Sequence, residues 1–97
     1  ADNLRKIKEK AAEGILTKKT EVKNDASAEE IINTRFLVEE KMVIHRRAQE
    51  EIERSTRMLA DEKKRRIDAL ETKRTELRKE VDALSNRAQW ARIAEDK

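Results

Sequence analysis

Ser27-Ala28-Glu29-Glu30-Ile31-Ile32 opens a stretch that runs to Lys97 without a glycine or a proline. Its first four residues form a capping box. The Ser27 hydroxyl can accept from the backbone N–H of Glu30, and the Glu30 carboxylate can reach back to the N–H of Ser27. Nothing downstream supplies a strong helix stop. The stretch therefore predicts one long helix over about residues 28–95, about 100 Å long at 1.5 Å per residue. A straight rod of that length has no second face of its own to pack on, so its core must come from other chains. Ser55-Thr56 are weak breakers and mark the place where the rival geometry, a helical hairpin, would bend.

Composition agrees with a helix that depends on partners. Charged residues make up 46% of the 97 residues and apolar ones 36%, with one Phe, one Trp and no Tyr. Too few large side chains are present to fill the centre of a globule. Yet the polar residues are mostly Glu, Lys and Arg, which form helices well, and the apolar ones are periodic, which argues against disorder. The net charge of +3 is a near balance and a weak guide to partners. The absence of cysteine removes disulfide and thiol chemistry and fits a reducing, intracellular setting, cytoplasmic or cytoskeletal. Apolar runs reach only three residues, as in Phe36-Leu37-Val38 and Met42-Val43-Ile44, so no membrane span is expected.

Upstream of Ser27, residues 1–16 read as a short amphipathic helix with Leu4, Ile7, Ala11 and Ile15 on one face and Gly14 as a candidate C-cap. Residues 17–26, with two Thr and no apolar period, read as an extended and poorly packed linker. The segment 27–97 divides in three. Between residues 31 and 44 the apolar side chains Ile31, Ile32, Phe36, Leu37, Val38, Met42, Val43 and Ile44 point all round the axis, which predicts several neighbours at once. Residues 45–66 are charged. Ala48, Ile52 and Leu59 leave a thin seam there, and Glu50–Arg54, Glu53–Arg57, Asp61–Arg65 and Glu62–Arg66 stand at ion-pair spacing. Residues 67–91 carry a heptad, with Ile67, Arg74, Val81 and Ala88 at a and Leu70, Leu77, Leu84 and Ala91 at d. Seven of these eight are apolar, which predicts a coiled coil. The eleven-residue step from Leu59 to Leu70 offsets this register from the upstream one.

Function classes follow from these patterns. His45 is the only histidine and lies on the stripe of Val38 and Ile52, where it reads as a polar residue at the core edge. No nucleophile–base pairing, metal-ligand spacing or phosphate-binding loop is present, so neither enzyme activity nor a metal or other cofactor is expected. Lys63-Lys64-Arg65-Arg66 ahead of the leucine seam loosely resembles a basic leucine zipper. Acidic residues Glu50, Glu51, Glu53, Asp61 and Glu62 would face phosphates in that arrangement, and the base-reading pattern is missing, so nucleic acid is a poor fit. Trp90 falls at heptad position c, outside the seam, which predicts an anchor into a further element. Arg74 at position a would oppose itself in a homodimer and favours a heteromeric contact.

The expected partner-binding set is thus Ile31, Ile32, Phe36, Leu37, Val38, Met42, Val43, Ile44, Ile67, Leu70, Leu77, Val81, Leu84 and Trp90. The composition resembles that of muscle-rod and cytoskeletal coiled coils, and the resemblance implies a structural component of a filament, such as a thick-filament accessory or axonemal protein. A homodimeric coiled-coil adaptor in trafficking or signalling is the second expectation, and a zipper-type DNA binder the third.

Overall fold

The computed structural model describes residues 2–96. Within them the elements are three helices, α1 (Asp2–Thr17), α2 (Ala28–Arg54) and α3 (Ala60–Glu95). The capping serine acts as the sequence predicts: the Glu30 N–H donates to Ser27 Oγ at 3.2 Å. The expected return bond from the Glu30 carboxylate to the Ser27 N–H is not formed among the described residues, and a contact from far along the chain completes the cap instead. The Ala28 N–H donates to the Glu95 carboxylate at 2.9 Å, so the last turn of α3 closes the first turn of α2. An acidic side chain at a helix N-terminus satisfies an orphan donor and complements the dipole together.

That contact requires the two helices to lie antiparallel, and the single long helix is corrected to a hairpin. The chain leaves α2 at Ser55 (φ −65°, ψ 128°) and enters α3 at Leu59 (φ −67°, ψ 149°), both in extended backbone. Five residues, Ser55–Leu59, reverse the direction close to the Ser55-Thr56 position of the rival reading. A straight rod would leave the α2 and α3 seams in water until a partner arrived. Folding back buries each against the other at the cost of a few helical hydrogen bonds, and a short loop closes with little entropy loss. The molecule measures 58 × 30 × 16 Å, well short of the expected rod.

The core is the seam itself. Ile31, Val38, Leu84 and Ala88 are buried, and Leu77, Val81 and Ala91 pack against them. These five α3 residues are a and d positions of the heptad, so the sequence identifies the apolar face of α3 correctly. Its partner, however, is α2 of the same chain. Farther toward the bend, Arg74 Nη1 donates to Gln49 Oε1 at 2.6 Å, so this a-position arginine is satisfied within the molecule. The case it made for a heteromeric contact lapses.

The segment between α1 and α2 is extended but not poorly packed. It lies along the hairpin as a strap, with Val22 and Ala26 against the core cluster. Thr20 Oγ1 donates to Glu80 at 3.2 Å, and the Arg87 guanidinium donates to the carbonyls of Val22 (3.4 Å) and Lys23 (2.9 Å). Lys41, only 9% exposed, donates from Nζ to the Lys18 carbonyl at 2.6 Å. That carbonyl follows the C-terminus of α1, where the helix dipole favours a cation, which helps to offset the ammonium's lost hydration. Gly14 is not a C-cap: α1 runs through it to Thr17, and no glycine has positive φ. Of the four ion pairs expected in residues 45–66, Glu62–Arg66 is present at 2.8 Å. Glu50 pairs with Arg46 at 3.5 Å, and Glu53 accepts from Gln49 at 3.1 Å.

Candidate interaction surfaces

Packing sorts the expected partner-binding residues into three groups. Ile31 and Val38 are fully enclosed and Leu84 is 7% exposed, so their surfaces are taken up inside the chain. Ile32, Leu37, Met42, Ile44, Ile67, Leu70, Leu77 and Val81 are half-buried along the flanks of the hairpin. Phe36, Val43 and Trp90 stay exposed, at 50%, 47% and 67%. The apolar block 31–44 packs on α3, the strap and the end of α1, but it is not covered on every side. Phe36 and Val43, seven residues apart on one stripe of α2, lie on the side these neighbours leave open.

Two grooves open on the surface, and Phe36 and Val43 line the first of them. One, of about 530 Å³, lies between α1 and α2 and is lined by Ile15, Phe36, Val43 and Ile44, with Glu39, Glu40 and Arg47 at its edges. The Arg35 guanidinium stands over the Phe36 ring at 5.2 Å, within cation–π range, and its Nε lies 3.7 Å from the Glu39 carboxylate. The second groove, of about 380 Å³, lies between α2 and α3 near the open end of the hairpin. Ile32, Ala88 and Ile93 supply its apolar wall, and Arg35, Gln89, Arg92 and Asp96 its polar one. Trp90 and Ile93, the latter 45% exposed, are three residues apart on α3 and so share a helix face there.

Ile93 and Leu59 are missing from the sequence-derived set. Ile93 stands two residues beyond the last heptad position, and its proximity to Trp90 is the signal that identifies it. Leu59 belongs by spacing to the α2 seam, whereas the bend carries it to the far tip, where it is 76% exposed. Leu4 and Ile7 on α1 are also exposed, at 60% and 65%.

His45 is half-buried at the α2–α3 interface. Burial, and then the positive charges of Lys73 and Lys41, hold its pKa below the ordinary histidine value. Among the described residues no group of three or more His, Cys, Asp or Glu side chains is placed to hold a metal ion. No described helix is long and apolar enough to cross a membrane. Compared with known protein families, curated proteins and solved structures, the chain matches none.

Proposed function

We propose that this chain is a non-enzymatic structural component of a multi-helix assembly, filamentous or cytoskeletal in kind, which it joins by binding neighbouring helices. The observation that carries this reading is selective exposure. The hairpin closes over Ile31, Val38, Leu84 and Ala88, yet leaves Phe36, Val43 and Ile93 in water at the walls of two grooves, with Trp90 exposed on the same helix as Ile93. Large apolar side chains grouped at concave surfaces are the usual anchors of helix-in-groove recognition. The unit that binds is then a preformed hairpin rather than a rod waiting for its core.

The zipper reading loses its physical basis in this arrangement, because the Leu77–Leu84 face meets α2. Single substitutions at exposed anchors test the proposal. Phe36→Asp and Trp90→Asp are expected to keep the helical circular dichroism of the wild type. Both are expected to leave the high-mass fraction of a native extract, and crosslinking mass spectrometry should show the wild-type contacts to neighbouring helices disappearing. Variants that sediment and crosslink like the wild type would refute the reading.

A further inference from the structure

The tip of the hairpin joins a dense group of cations to one projecting apolar side chain. Residues 54–66 hold six basic side chains (Arg54, Arg57, Lys63, Lys64, Arg65, Arg66) and two acidic ones (Asp61, Glu62), a net +4. The whole chain is +3, so the other 84 residues together carry −1. Residues 3–19 carry an equal net +4, so the tip is one of two basic regions of the chain. Part of it is internally committed: Arg66 pairs with Glu62 at 2.8 Å, and Lys63 Nζ donates to the Glu53 carbonyl at 3.4 Å. Arg54, Arg57, Lys64 and Arg65 are exposed and have no acidic partner among the described residues.

Leu59 stands among these cations. It is the most exposed large apolar residue of the described chain, at 76%, and it occupies the N-cap of α3. No side-chain hydrogen bond caps this helix, whereas Ser27 caps α2. Ser, Thr, Asp or Asn at that position would accept from a free N–H and steady the helix. The sequence forgoes this stabilisation and projects a leucine instead, with Met58 half-buried behind it.

We propose that the tip docks on an anionic lipid surface, with Leu59 entering the headgroup–acyl boundary and Arg54, Arg57, Lys64 and Arg65 against the headgroup phosphates. Charge and greasiness have to be satisfied together, side by side, and an acidic bilayer offers both within one side-chain length. Long basic side chains around a buried apolar residue keep their charges at the polar layer while their stems lie deeper. A nucleic-acid duplex presents phosphates but no apolar layer to take up Leu59. The inference is independent of the helix-binding patches, which lie along the flanks and at the opposite end.

Flotation of the whole chain with vesicles tests this. Binding is expected to phosphatidylcholine vesicles containing about 30% phosphatidylserine and not to phosphatidylcholine alone, and to fall steeply above about 0.5 M salt. Replacing the four free cations by glutamine is expected to weaken binding several-hundredfold, at about fivefold per charge. Leu59→Ser separates docking from folding: it should weaken vesicle binding about tenfold while raising the melting temperature by about 5 °C, because serine caps α3. Equal binding to both vesicle types, no binding at low salt, or wild-type binding by Leu59→Ser would overturn the proposal. So would a chain that ignores vesicles and binds duplex DNA with a steep salt slope.

Discussion

Val38 and Val43 lie on the same helix, five residues apart, and truncating each to alanine separates a hairpin held by its own seam from a rod held by others. Val38 is fully enclosed between α2, α3 and the strap, whereas Val43 is 47% exposed beside Ile15 and Phe36. Val→Ala removes two methyl groups, about 1.6 kcal/mol of transfer free energy when both were buried. A cavity term is added where the surroundings cannot collapse, which brings Val38→Ala to about 2–3 kcal/mol. Val43→Ala should cost under about 1 kcal/mol, since its methyl groups are half in water already. For a domain of this length the larger loss lowers the melting temperature by roughly 10–20 °C. Urea and thermal denaturation followed by far-ultraviolet circular dichroism would measure both variants beside the wild type, over a wide range of protein concentration. The reasoning fails if the two substitutions cost the same. It also fails if the wild-type midpoint rises with concentration, because the seam would then be completed by a second chain.

Two further outcomes follow from single side chains. His45 has a folded-state pKa below its unfolded value of about 6.5, so the unfolded chain binds more protons near that pH. Stability should therefore decline as pH falls through about 6.5 and level off once pH drops beneath the folded value; His45→Gln should remove this contribution to the slope of the urea midpoint against pH. Gly14 lies inside α1, and no atom stands within 4 Å of the place a methyl group would take there. Gly14→Ala therefore meets no steric objection and should stabilise α1 by about 0.5–1 kcal/mol, seen as slower amide exchange across residues 8–17.

Much of this architecture is legible in the residues. Ser27 announces the start of α2, and the spacing of Leu77, Val81, Leu84, Ala88 and Ala91 marks the buried face of α3. The crowded block around Phe36 is not enclosed all round, since Phe36 and Val43 stay exposed. The reversal is harder to read, because Arg57, Met58 and Leu59 are compatible with a helix and no glycine or proline interrupts them. Its signature is electrostatic: Arg54 lies in the last turn of α2, and Asp61 and Glu62 lie in the first turn of α3, each matching the dipole of its helix end. The packed strap is hidden for another reason. Its anchors, Lys41, Glu80 and Arg87, bind mostly backbone carbonyls, and such contacts leave no periodic trace in the strap's own sequence. Of the candidate surfaces, Phe36, Val43 and Trp90 are visible as apolar residues, but only the packed structure separates them from Ile31 and Val38.

No residue of the reversal adopts a backbone conformation reserved for glycine. The hinge therefore needs no glycine, and Arg57, Met58 and Leu59 are residues that a helix also accepts. What keeps the corner bent is leverage from the closed arms, chiefly the Val38 and Leu84 layer and the clasp of Glu95 on Ala28. Two such molecules with their arms straightened would find in each other the same opposing faces, making arm exchange between copies the natural route out of this fold when the layer is weakened.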